Sequence, residues 1–130
     1  MTSIMFVSSG VSFDAVGFVA EFRLSGVEIF EKGKRLRYGR GIHADSGFSY
    51  VLPATEGGGE VVDCIEKWIH SNERWLRELK RKADKSIFSV GLMVGSRDSF
   101  APYFDLDAAH LSLLAALGIG ISISAYPVSG

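Results

Sequence analysis
At 130 residues, with 47% apolar and 22% charged side chains and a formal net charge of −1, the chain has the size and composition of one globular domain, residues 1–130, with its own core. That composition excludes a disordered chain, and the balanced charge argues against a dedicated nucleic-acid binder, which carries a basic excess. A single cysteine, Cys64, rules out an intramolecular disulfide and suits a reducing compartment.

Ile4 to Val7 is a short apolar run followed by Ser8-Ser9-Gly10, the pattern of a first strand. No basic residue precedes it, so it reads as a strand and not as a secretion signal. Ser12 then stands before Phe13, Val16, Val19 and Ala20 at helical spacing, which predicts a helix capped by Ser12 and ending near Gly26. Val27, Ile29 and Phe30 predict a second strand. Residues 31–46 are rich in glycine and basic side chains without periodicity, which predicts an exposed loop with at most a ragged strand. Phe48 to Leu52, closed by Pro53, predicts a third strand, and the glycines of 54–60 predict a flexible connection.

The strongest periodicity runs from Glu60 to about Ala83. Val61, Ile65, Trp68, Ile69, Asn72, Trp75, Leu76, Leu79 and Ala83 form one stripe, and charged residues cover the other face. Ile87 to Val94 follows as a strand with Phe88, Val90, Leu92 and Val94 on one side. Asp105 is placed to cap a third helix carrying Leu106, Leu113, Leu114 and Leu117, and Gly118 to end it. Ile119, Ile121, Ile123 and Ala125 then alternate with Gly120, Ser122, Ser124 and Tyr126 as a last strand. Leu111 to Ala125, the longest greasy stretch, is interrupted by glycine and serine and is too short and broken to span a membrane, so the expected location is the cytoplasm. The order β-α-β-β-α-β-α-β predicts an α+β fold, specifically a ferredoxin-like two-layer sandwich with an extra helix–strand unit.

Several local patterns resemble a bacterial family, the domain of unknown function 4279. They are the Glu31-Lys32-Gly33-Lys34 turn, the Gly47-Phe48-Ser49-Tyr50 strand, Leu79-Lys80 near a helix end, Asp105-Leu106, Leu117-Gly118-Ile119 and the closing Ala125-Tyr126-Pro127. Leu24-Ser25-Gly26 stands, without its proline, where the family carries Leu-Gly and Pro. The resemblance implies the same fold class and brings no activity with it.

The candidate chemistry is sparse. His43, Asp45 and Ser46 share one loop but lack the further ligands of a zinc site, and neither a helix-borne His pair nor a CxxC is present. No metal or cofactor is expected. His110 reads as a core-edge histidine bonded to a carbonyl, His70 as a helix-surface partner of Glu66, and Cys64 as a small buried apolar residue. Lys32, Lys34, Arg35, Arg37 and Arg40, interleaved with Tyr38 and glycines, form the one charge cluster. With His43 and Arg97, the residues Lys34, Arg35, Arg37, Tyr38 and Arg40 are the candidates for contact with an anion or other ligand, although the Walker spacing is absent.

Small residues opposite the apolar sides of two strands stand out. Ser89 and Gly91, with Gly120, Ser122 and Ser124, predict a smooth sheet face suited to close approach, either by one of the chain's own helices or by a second copy in a homodimer. The favoured reading is therefore a non-catalytic binding or interaction module that self-associates or takes a protein partner. The alternatives are a small enzyme using the loops Arg37–Asp45 and Arg97–Tyr103, where Arg97, Asp98 and Tyr103 supply charge and a hydroxyl, and an immunity-like or regulatory protein that neutralises a partner.

Overall fold
A computed structural model gives the fold and describes residues 2–53, 58–94 and 105–127. Strand β1 (Thr2–Gly10) lies at the centre of a five-stranded sheet. On one side of it are β3 (Ser46–Val51) and then β2 (Val27–Phe30). On the other are β4 (Lys85–Val94) and then β5 (Ile119–Pro127). β1 runs antiparallel to both neighbours, β2 is antiparallel to β3, and β5 is parallel to β4. A parallel pair needs a crossover between its strands, and helix α3 (Ala108–Ala116) supplies it. Helices α1 (Ala15–Glu21) and α2 (Gly58–Lys82) complete the β-α-β-β-α-β-α-β order expected from the sequence.

The period-two pattern of the strands divides the sheet into two unlike faces. Ile4, Phe6, Phe48, Phe88 and Val90 lie on one face and are buried to 1% exposure or less. The α2 stripe packs there through Val61, Ile65, Ile69, Leu76 and Leu79, all buried. The Phe6 ring is 5.0 Å from that of Trp68 and 5.2 Å from that of Phe88. Trp68 and Trp75 join the core from its border, each half-buried. α1 covers Phe48 through Phe18, whose ring stacks on it at 6.1 Å. α3 lies beside α2, with Leu114 and Leu117 in the same cluster as Ile119 of β5. All three helices thus cover the same face. Ser8 and Ser86, paired across β1 and β4 on that side, satisfy each other's buried hydroxyls at 2.8 Å.

The helix ends depart from the sequence expectation in instructive ways. Asp14, not Ser12, caps α1 by accepting from the Gly17 amide at 3.0 Å. Phe13 is buried against Phe18, ring to ring at 5.7 Å, as an apolar staple around the cap. That contact puts Phe13 just before the cap and leaves Ser12 too early to serve. α1 ends at Glu21, well before Gly26, because Arg23 turns the chain with φ of 52°. The Leu24 amide then donates to the Val19 carbonyl at 3.0 Å, and that of Arg23 to Ala20 at 3.3 Å, the paired bonds of a Schellman turn.

At α3 the cap is Asp107 instead of Asp105. Asp107 accepts from the His110 amide at 2.9 Å while its own amide donates to His110 Nδ1 at 3.3 Å, a reciprocal box that Asp105 is too distant to form. α2 starts at Gly58, two residues before Glu60, so two of the glycines assigned to the connection belong to its first turn. Gly118, with φ of 66°, ends α3 as expected.

Candidate functional site
The sheet face turned away from the helices is built in rows across the strands. Val51, Met5, Ser89 and Ser122 are successive cross-strand partners on β3, β1, β4 and β5. Beside them run Glu28, Ser49, Val7, Ile87 and Gly120, and on the other side Ser3, Gly91 and Ser124. Among the described residues no helix covers these rows. Met5, Val51, Met93 and Tyr126 are exposed on this face. Glu28 and Lys85 are the only charged residues in the five strands, and both lie towards the sheet's periphery. An antiparallel face left to water normally carries longer polar side chains.

The expectation of a uniformly smooth surface needs one correction. A Cβ at Gly91 would lie 2.7 Å from Ser3 Oγ and 3.4 Å from the Tyr126 ring, so the chain's own atoms already fill that space. Ser89, Ser122 and Ser124 are half-buried or exposed, and Gly120 is open, with its nearest atoms 3.9 Å from a Cβ position. The open face is therefore an apolar and hydroxyl surface with relief from Met5, Ile87 and Tyr126.

The basic stretch is an arm more ordered than a bare loop. The Gly33 amide donates to the His43 carbonyl at 2.9 Å, the His43 amide to Lys34 at 2.8 Å, and the Leu36 amide to Gly41 at 3.2 Å. Arg35 and Ile42 form an isolated antiparallel bridge. Gly33, Gly39 and Gly41 all take positive φ, which lets so short an arm fold back. Lys34, Arg35, Tyr38 and Arg40 project into solvent, with Tyr38 79% exposed. Arg37 is tied to Glu28 at 2.6 Å and stands 5.6 Å from the Tyr38 ring. The Glu28 carboxylate holds the Arg37 guanidinium above its ordinary pKa, first through the hydrogen bond and then through charge. His43 stacks on Phe30 at 4.9 Å.

Among the described residues no hydrogen bond joins the side chains of His43 and Asp45. Arg97, Asp98 and Tyr103 lie outside the described residues.

The helix-borne candidates are structural. Glu66 receives His110 Nε2 at 3.0 Å and faces His70 at 3.8 Å. The partner of His110 is thus a carboxylate on α2, not the carbonyl expected, and the bond ties α3 to α2. Cys64 is half-buried, and burial pushes its thiol pKa up, against the modest opposing charge of Lys67. A raised pKa leaves little thiolate and so a poor nucleophile.

A cleft of about 480 Å³ between the end of α1 and the middle of α2 escaped the sequence reading. Trp68, Asn72 and Trp75 entered that reading only as core stripe, and Arg23 not at all. The polar Asn72 between two tryptophans on an otherwise apolar stripe was the available signal. No family model, curated protein or solved structure matches the chain, and no described helix is long and apolar enough to cross a membrane.

Proposed function
We propose that the chain is a non-catalytic interaction module that self-associates, packing its open sheet face against the same face of a second copy. The observation that carries this reading is the open face itself: five strands with apolar, glycine and serine side chains outward and charge only towards the periphery.

Area favours the face over the free edge of β5. Strands of nine, four, six, ten and nine residues, at about 3.3 Å per residue and about 4.8 Å between strands, cover about 600 Å². Two such faces remove about 1,200 Å² from water, above the roughly 1,000 Å² that a specific interface needs. Edge pairing along the nine residues of β5 alone reaches about 300 Å² on the same spacings, well short of that. A two-fold axis through the face brings Met5 and Ile87 of one copy against the low serine and glycine surface of the other, and hydroxyls accept a close neighbour at small desolvation cost.

A ferredoxin-like sandwich extended by one helix–strand unit is supported by the β4-β1-β3-β2 order, antiparallel throughout, with β5 added beside β4. Kinship with the domain of unknown function 4279 rests on the Gly47-Phe48-Ser49-Tyr50 strand, the Leu117-Gly118-Ile119 turn and the Ala125-Tyr126-Pro127 end of β5.

Sedimentation equilibrium tests the reading. The wild-type protein is expected at twice 14.1 kDa. Ser89→Arg and Ser122→Arg each place a cation within the contact, where it has neither water nor a partner. Both variants are expected as monomers with unchanged far-ultraviolet circular dichroism. A wild-type monomer at millimolar concentration, or arginine variants that dimerise as well as wild type, would end the proposal.

A further inference from the structure
The helical side of the molecule carries a second surface, independent of the open sheet face. We propose that the cleft between the α1 turn and α2 binds a small planar aromatic anion, its ring against the tryptophan wall and its charge towards Arg23 and Arg74.

The wall comes first. Trp68, Asn72 and Trp75 follow one another at helical spacing on the same side of α2. The two indoles meet edge to face at 5.5 Å, and Tyr50 of β3 stacks on Trp68 at 5.7 Å. Asn72 locks this arrangement. Its amide donates to the Trp68 carbonyl at 2.7 Å, and its side-chain oxygen accepts from Trp75 Nε1 at 2.9 Å. All three aromatic rings are half-buried and border the cleft. An aromatic wall held by hydrogen bonds before a ligand arrives loses little freedom when one binds.

The second wall is the turn after α1. Arg23 occupies the left-handed position of the Schellman turn, with φ of 52°. Glycine takes that position at no steric penalty, and an arginine there strains the backbone. The strained residue lines the cleft together with Arg74, and among the described residues no carboxylate lines it. Arg37 binds Glu28 and Arg77 binds Glu73, whereas Arg35, Arg40 and Arg81 have no ion-pair partner among the described residues and stand in solvent, away from any aromatic wall. Among the described residues neither Arg23 nor Arg74 has an ion-pair partner. Two unpaired guanidinium groups beside locked aromatic rings, in a space of about 480 Å³, match the needs of a ring bearing a carboxylate or similar anion. The strain at Arg23 is then the cost of placing a cation where the turn would otherwise carry none.

The chain's two tryptophans both line the site, so its two indole N–H signals in a proton–nitrogen correlation spectrum report directly on occupancy. The probes are 2-naphthoate, the uncharged 2-naphthamide with the same ring, and cyclohexanecarboxylate with charge but no flat ring. Trp75→Phe assigns the two signals. Naphthoate is expected to shift both saturably, with each control about tenfold weaker, the scale of one charge-assisted contact. Arg23→Gly is expected to lower naphthoate affinity to the level of the amide while raising the melting temperature, because glycine relieves the turn. Arg74→Gln, on the exposed surface of α2, is expected to lower affinity without changing the fold. No saturable shift at millimolar naphthoate, equal affinity for the amide, or undiminished binding by Arg23→Gly and Arg74→Gln would each overturn the proposal. None of these results bears on the oligomeric state.

Discussion

Removing the Phe6 ring tests the account of the core at its centre. Phe6 sits mid-strand in β1 and is fully buried. Its ring lies 5.0 Å from Trp68, 5.2 Å from Phe88, 6.2 Å from Phe48 and 6.3 Å from Trp75. It therefore touches both neighbouring strands and α2. Phe6→Ala loses the transfer energy of the ring and leaves a cavity that rigid aromatic neighbours cannot close, a cost of about 4 kcal/mol. A chain of this length is stable by about 6–20 kcal/mol, so the loss is a large share of the total. With a urea slope of about 2 kcal/mol per molar, the unfolding midpoint falls by about 2 M. The assay is urea titration followed by tryptophan fluorescence, at one low protein concentration because dimerisation would shift the midpoint. Phe6→Leu keeps much of the volume and is expected to lose less. Trp68→Ala also loses less than Phe6→Ala, because Trp68 is only half-buried. A loss below about 1.5 kcal/mol for Phe6→Ala would refute the placement of Phe6 at the centre of the core.

Other expectations follow from single positions. A Cβ at Gly47 would run into the Ser8 carbonyl oxygen and the Phe30 ring, so Gly47→Ala should destabilise by about 1–3 kcal/mol through the immovable backbone atom; thermal unfolding measures it. Neutralising Arg35 and Arg37 together should leave the melting temperature nearly unchanged, because the Arg37–Glu28 pair is well exposed on both sides and contributes little; a drop of many degrees would make the arm structural. Cys64 should alkylate more slowly with iodoacetamide than a free cysteine at neutral pH. Its rate should climb with pH to a midpoint above that of the free thiol, since burial raises its pKa and only the thiolate reacts.

Element order, the buried stripe of α2 and the apolar side of β4 were legible in the sequence, because periodicity reports which side of a local element avoids water. Val61, Ile65, Ile69, Leu76 and Leu79 are buried as their spacing requires. The helix caps were misread where a tertiary contact chose among several competent residues: the Phe13–Phe18 staple selects Asp14 over Ser12, and the reciprocal bond with His110 selects Asp107 over Asp105.

Of the candidate sites, the small-residue positions Ser89, Gly120, Ser122 and Ser124 were legible as a surface of low relief. That they share an open face with Met5 and Val51, and that Tyr126 fills the space over Gly91, depended on which strands became neighbours. The aromatic cleft was illegible for the same reason. Arg23 lies in the turn after α1 and Arg74 on α2, and nothing in a one-dimensional pattern brings the end of α1 against the middle of α2. Periodicity encodes burial along one element, whereas a site is made between elements, and only the packing of the helices on the sheet determines which side chains meet there.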